Sequence, residues 1–368
     1  MSNFQAAKFD NTVEKEFLTT LRKRVMGYFK ENNTPKEANA TMVIKSIFMV
    51  TLFTTPYVLM IAGFIQNPWM VFFMYILMGF GMTGIGLCIM HDANHGAYSK
   101  NPKVNKYMGL LLNYVGGNAL NWKIQHNMLH HSYTNVDGLD EDINPGAVMR
   151  FSPHQPRLKH HKYQHVYAWV LYSLMTLSWL MVKDFKQLKR YHKMGLAEPA
   201  SQKSFKRVML ELTFSKVIYW GLIVFLPMFL LPVSWWVVAL GVIVMNLIAG
   251  LILAMIFQPA HVMPESAYPL PDQSGKIDNN WAIHQLMTTQ NFAPKKRIFS
   301  WLVGGLNFQV EHHLFPNICH VHYSKIAPIV EATAKEYGIP YHSRATFREA
   351  LIYHGKMLKM LGQTDMAQ

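Results

Sequence analysis

Four long apolar runs constrain this chain more than any other feature. They cover about residues 42–65, 69–90, 217–231 and 233–257. Crossing about 30 Å of hydrocarbon takes roughly 20 helical residues. Inside hydrocarbon every backbone N–H and C=O must be satisfied within the segment, so each run reads as a transmembrane helix. The links Gln66-Asn67-Pro68 and Pro232 carry no charge, which groups the runs into two tight hairpins. Composition agrees: 15% of residues are charged, against about 25% in soluble domains. The predicted fold class is an all-α membrane protein of four transmembrane helices in two hairpins, with a helical cap on the cytoplasmic side.

Charge sets the expected orientation. Lys and Arg exceed Asp and Glu by 14. They fill residues 1–40, the segment from His91 to Ser215 and the chain beyond His261, and they avoid the short links. The positive-inside rule places those three regions and both termini in the cytoplasm. No nucleic-acid-binding motif accompanies the basic residues, so no nucleic-acid partner is expected, and an anionic membrane face is the better counterpart. Charges interrupt the N-terminus before any apolar core, unlike a signal peptide. Two cysteines, Cys88 and Cys319, suggest no disulfide framework and fit a reducing compartment.

Three regions follow: a basic arm over 1–40, a membrane domain over 41–345 and a C-terminal amphipathic helix and tail over 346–368. In the arm, Asn11 and Glu14 have capping-box spacing. Phe17, Leu21, Val25 and Phe29 then recur at helical spacing beside Arg22, Lys23 and Arg24, so this helix either lies on the membrane surface or packs on the protein. A fifth apolar stretch, 166–182, is long enough to cross. It is expected to lie in the membrane plane, because it is rich in Tyr and Trp and runs into Lys183, Lys186, Lys189 and Arg190. A shorter stretch, 108–120, is also expected not to cross. Residues 264–280 read as loop, 281–289 and 326–337 as helices, and Thr346 with Glu349 as the cap of a last helix.

Three histidine boxes carry the chemistry: His91-Asp-Ala-Asn-His95, His126-Asn-Met-Leu-His130-His131, and Gln309-Val-Glu-His312-His313. Seven of the 18 histidines lie in them. Imidazole suits iron, zinc, copper and nickel. Seven nitrogens exceed the four positions of a tetrahedral zinc, so two metals side by side are expected. His91 and His95, four apart, share one helical face. His261, four residues beyond the fourth run, is an eighth candidate. Gln309 stands at a ligand-like position but is a weak donor. Asp92, Asp137, Asp140 and Asp142 are candidates to hold the outer ring nitrogens, and Glu141 reads as charge balance. His160, His161 and His165 resemble a fourth box but are expected not to bind metal, and His284, His320 and His322 are expected to be structural or to support the ligands from behind. No His-Glu-x-x-His, Glu-x-x-His, Walker or dinucleotide motif occurs, which argues against a zinc protease, a carboxylate di-iron bundle and a nucleotide enzyme.

The boxes HDANHG, HNMLHH and QVEHHLFP resemble those of the membrane-bound fatty acid desaturases, over about residues 42–341. Gln309 in the third box, with the flanking segments 281–292 and 304–308, resembles the front-end subgroup of linoleoyl (delta-6-like) and sphingolipid desaturases. The resemblance implies a di-iron centre held by His91, His95, His126, His130, His131, His261, His312 and His313, with Gln309 in place of a further ligand. It implies O2 as co-substrate and insertion of a double bond between an existing one and the carboxyl end of a fatty acyl chain. The acyl carrier (CoA, lipid or carrier protein) is left open. Unlike many front-end enzymes, the chain carries no His-Pro-Gly-Gly haem motif of a fused cytochrome b5 domain. Electrons are therefore expected from a separate ferredoxin or cytochrome b5, as in a bacterial inner-membrane enzyme. A related His-box lipid hydroxylase is the rival within this chemistry. A metal transporter is the distant one, opposed by the absence of Asp and Glu from the spans.

Overall fold

The computed structural model describes residues 4–10, 12 and 14–363. Among the described residues, four helices are long and apolar enough to cross a membrane: Ala40–Ile61, Pro68–Asn94, Phe205–Leu230 and Trp235–His261. The first begins where Asn39 accepts from the Met42 N–H. The second begins at Asn67-Pro68, where the Asn67 side chain accepts from the Trp69 and Met70 N–H groups and proline takes a position that needs no N–H. The uncharged link is thus a helix start built into the sequence. The third helix begins twelve residues before its apolar run. Its first turns, with Lys206, Arg207 and Glu211, are amphipathic and pack on the segment after the second box.

Small residues let these helices approach closely. A Cβ at Gly81 would meet the backbone of Leu52 and Phe53, and one at Gly250 would meet the carbonyls of Tyr172 and Ser173. The second contact seats the fifth apolar stretch. That stretch is two helical segments, Lys159–Ser173 and Met175–Lys193, bent by 59° at Leu174 and packed along the fourth span. The stretch 108–120 is broken into short helices, turning at Gly116 with φ +91°.

The N-terminal helix, Lys15–Glu31, does not present its apolar face to a membrane. Phe17, Leu21, Val25 and Phe29 are buried against Tyr323–Glu336 and the third-box region. Burying each such side chain contributes about 1.5–3 kcal/mol. The protein core therefore wins the face that the sequence left open between two partners, and Arg24 closes the edge by pairing with Glu336 at 2.6 Å. Asn11 of the expected capping box lies outside the described residues. Glu14 has φ 43° and makes no side-chain cap. The last helix, Phe347–Gln363, does have its cap: Thr346 Oγ1 accepts from the Glu349 N–H. Two small parallel strand pairs, Lys8–Phe9 with Lys276–Ile277 and Gln290–Phe292 with His342–Arg344, join distant segments.

Candidate metal centre

The second and fourth spans both end in histidine. His91 closes the last turns of one and His261 is the last residue of the other. Boxes two and three come to the same level. Ring centroids of His91 and His312 are 4.5 Å apart, those of His130 and His261 4.7 Å, and those of His131 and His313 4.3 Å. All eight candidate histidines therefore converge. Seven are buried, and His95 is half-buried.

Local winding decides which histidine joins which group. Residues Ile85–Met90 and Lys123–His130 are π-helical, with bonds from i to i+5. Such turns often sit at functional sites because the extra residue re-aims side chains. In box two the wide turn brings His131 Nε2 within 3.2 Å of His126 Nε2, five residues back. His130 stacks against His126, with centroids 5.2 Å apart, and also meets His261 and His313 edge-on. The ring nitrogens of His91, His95, His126 and His312 lie within 4.8 Å of one another, and so do those of His130, His261 and His313. His131 joins His312 and His313 in a third overlapping group, with Nε2 2.9 Å from His312 Nε2. Two adjacent nitrogen clusters bridged by His131 and His312 result.

The outer nitrogens show why these rings point inward. His130 Nδ1 lies 3.1 Å from both oxygens of Asp140, His312 Nδ1 3.2 Å from Tyr323 Oη, and His313 Nδ1 2.8 Å from Gln285 Oε1. His261 Nδ1 lies 3.3 Å from the Thr288 carbonyl. Each anchor leaves Nε2 facing the interior, and the Nε2 atoms of His95, His261 and His313 have no protein partner. A buried polar atom without a partner is costly, about 1–3 kcal/mol. Burial first, and then the neighbouring imidazoles, hold His95, His126, His131, His312 and His313 well below the usual histidine range. They are neutral donors with free lone pairs, the form a metal takes. His130 differs. Burial opposes its charge, but Asp140 and then Asp142 outweigh burial and raise it to about 9. The donor set therefore fits metal ions.

The carboxylates divide. Asp140 holds His130 and is itself fixed by the backbone N–H groups of Asn135 and Asp142. Asp142 reaches His130 at 3.6 Å and His126 at 3.8 Å. Asp92 holds His320 Nδ1 at 2.8 Å, while His91 Nδ1 is 3.9 Å away. Asp137 serves no histidine and accepts from Gln155. Glu141 pairs with Arg190 at 2.9 Å, as charge balance predicts. Gln309 is buried, and neither of its amide atoms has a protein partner. Glu311 is also buried. Tyr341 and Asn291 each contact it at 2.8 Å, yet burial still pushes it up to about 7. His160 and His161 lie apart from the centre, with Nε2 of each on the Ala147 carbonyl. His322 is tied to the Glu37 carbonyl, and His284 packs edge-on against Phe9.

Gln285 and Tyr323 are the anchors that sequence reasoning missed. Both are uncharged, and neither lies within a helical turn of a box: Gln285 is 28 residues before His313 and Tyr323 is 11 after His312. The one available signal was Gln285's place in the Trp281–Thr288 helix beside His284, in a segment already marked by resemblance.

Comparison with known proteins agrees with this geometry. The family model described as "Fatty acid desaturase" matches residues 67–345. An "Acyl-lipid (8-3)-desaturase" of Physcomitrium patens is 36% identical over 97% of this chain and 74% of that protein. The "sn-1 linoleoyl-lipid 6-desaturase" proteins of Synechocystis sp. and Arthrospira platensis are 31% and 34% identical, covering 98% and 94% of this chain and 99% and 92% of theirs. Four apolar helices, a buried histidine centre at one end of them and a match over most of its length make this chain a membrane-embedded member of the fatty acid desaturase family.

Proposed function

We propose that this chain is a front-end acyl-lipid desaturase. It inserts a double bond between an existing one and the carboxyl end of an acyl chain esterified to a membrane lipid. The observation that carries the reading is the convergence of eight imidazoles beside a cavity of about 590 Å³ with a mixed polar and apolar lining. His126, His130 and His261 line that cavity, together with Phe257, Met175 and Tyr172. Pockets of this size and lining hold elongated apolar ligands. The names of the relatives supply the lipid carrier and the front-end position.

His91, His95, His126 and His312 would hold one iron, and His130, His261 and His313 the other, with His131 between them. Gln309, with both amide atoms unpartnered, would complete the set directly or through water. Bound iron supplies O2 activation strong enough to oxidise an unactivated methylene. The net reaction takes one hydrogen from each of two vicinal carbons. With O2, two electrons and two protons it yields the alkene and two waters. The chain's own residues set geometry: Asp140, Tyr323, Gln285 and the Thr288 carbonyl fix ring orientation, and the apolar walls exclude water. The two electrons come from a ferredoxin or cytochrome b5, one-electron carriers suited to an iron centre. The centre and both termini face the cytoplasm of a bacterial inner membrane. The excess of Lys and Arg in the segments that carry the boxes supports the cytoplasmic side, and the meeting of all three boxes supports their sharing one side, which requires the bent segment 159–193 not to cross as a fifth span.

Gas chromatography–mass spectrometry of cells fed linoleate tests the reading, comparing wild type with His312→Ala. A new double bond on the carboxyl side, absent from the variant, is the expected result. A hydroxylated product would assign the chain to the hydroxylase rival. A wild-type protein that binds no iron would sink the di-iron centre.

A further inference from the structure

The large cavity beside the histidines is open along one side, between two antiparallel lips. One lip is Leu174, Ser178, Val182, Lys186 and Arg190, four residues apart on the bent segment 159–193. All five line the cavity and all five are exposed, so they form its mouth. The other lip is the loop 141–148, tied to the helical segment at both ends. Glu141 pairs with Arg190 at 2.9 Å, and Tyr167 Oη donates to the Val148 carbonyl at 2.8 Å. The opening is a slot about 24 Å long, at about 1.5 Å per helical residue. A slot admits a chain sideways, whereas a round hole requires it to thread.

Polarity is graded along the slot. Leu171, Leu174 and Met175 line it toward Val148, and Lys183, Lys186 and Arg190 line it toward Glu141. Exposed apolar residues flank the first half: Leu174, Met181, Val182 and Val148. Such a patch marks contact with a membrane or a partner rather than with water alone. At the basic end the carboxylates are already engaged. Glu141 is held by Arg190, Asp142 accepts from Gln125 and lies 3.6 Å from His130 Nδ1, and Asp184 is bonded to Lys216 at 2.5 Å. Lys183 Nζ lies over the Trp179 ring, 5.0 Å from its centroid. Among the described residues Lys186 forms no ion pair. Positive charge is left over there for an anion.

Resting on the desaturase reading above, we propose that this slot is a lateral port for a glycerophospholipid, and that Lys186, with Lys183, binds the lipid's phosphodiester. Lysine suits a phosphate as a point charge. One acyl chain enters sideways from the bilayer, while the headgroup and the second chain stay outside. The contact of Asp142 with His130 places the histidine centre near the basic end. Carbons close to the ester therefore meet the centre, and the longer remainder of the chain lies along the apolar end.

The test uses the full chain and a phosphatidylglycerol carrying a photoreactive diazirine on one acyl chain, with cross-linked peptides read by mass spectrometry. Labels should fall on residues 141–148 and 171–190. Lys186→Gln should weaken labelling about fivefold, the effect of about 1 kcal/mol per basic residue facing anionic lipid. Lys189→Gln should leave it unchanged, because Lys189 is exposed on the same helix but does not line the slot. Ser178→Trp fills the mouth and should abolish labels at 171–175. Unlabelled phosphatidylglycerol should displace the probe better than a phosphate-free galactolipid, linoleoyl-CoA or inorganic phosphate. Labels outside the slot, or equal loss in the Lys186 and Lys189 variants, overturn the proposal. Equal displacement by the galactolipid overturns the phosphate assignment, and stronger displacement by linoleoyl-CoA or inorganic phosphate overturns the lipid port. Labelling confined to the slot, with no desaturated product from wild type on any carrier, overturns the desaturase reading alone.

Discussion

Two stretches of this chain look alike in sequence and differ in everything that matters chemically. His126–His131 and His160–His165 each hold three histidines within six residues, each near basic residues. In the first, Asp140 anchors the outer nitrogen of His130, and the inner nitrogens of His126 and His131 face other imidazoles across 2.9–3.2 Å contacts. In the second, His160 and His161 both spend Nε2 on one backbone carbonyl, and the last helix packs over them, with Gly362 against the His161 carbonyl. A histidine binds metal where its lone pair is left free and buried, and it builds structure where that nitrogen is already bonded. The count of histidines says nothing about which applies.

The largest expected contrast lies between the two stretches themselves. His131→Ala removes the ring between the two nitrogen groups and should bring product below detection with loss of bound iron, read by mass spectrometry of product and metal. His161→Ala should keep both, and iron loss in that variant would break the distinction. Next is Asp140→Asn, which leaves His130 without its carboxylate. Metal affinity should fall roughly 10- to 100-fold, measured by chelator competition, while His160→Asn leaves it unchanged. Gln285→Leu removes a neutral anchor from His313, and a smaller loss, about tenfold, is expected in the same assay.

The structural side should answer to pH rather than to chelators. His354, on the helix that covers His160 and His161, is buried. Its Nδ1 is 2.9 Å from the Val262 carbonyl and its Nε2 2.7 Å from Tyr172 Oη. Burial lowers it to about 4, while the unfolded chain protonates near 6.5. The unfolded state therefore takes the proton first. Stability is full above about 6.5 and falls as pH drops toward 4, by up to about 3 kcal/mol. Thermal unfolding of the metal-free protein at pH 7 and pH 4.5 should show this decline, and His354→Gln should make it smaller, the remainder coming from the centre histidines held in the low range. The smallest effect expected is that of His160→Ala, within about 0.5 kcal/mol, because this ring is exposed.

Much of the fold is legible along the chain. The four spans, the caps at Asn67 and Thr346 and the three boxes are local patterns: run length, a polar residue before a helix, histidines a turn apart. Each depends on neighbours within about twenty residues, so the order of residues carries it. The N-terminal helix shows the limit. Its apolar stripe at Phe17, Leu21, Val25 and Phe29 predicts a buried face, but a membrane and a protein core satisfy that stripe equally, and only packing against 323–336 selects the core.

The candidate site divides in the same way. By itself the sequence determined that histidines would gather at one end of the spans, because hydrocarbon excludes them and the charge pattern collects the soluble segments on one side. Tertiary structure alone decided how they sort. The π-helical turn at Lys123–His130 brings His131 within reach of His126, and Gln285, Tyr323 and the Thr288 carbonyl, from other elements of the fold, aim the rings. It also decided that Lys216 would be spent on the Asp184 carboxylate and the Gly116 and Trp179 carbonyls. A buried lysine must find partners wherever the fold supplies them, and no local pattern records which segments will be near.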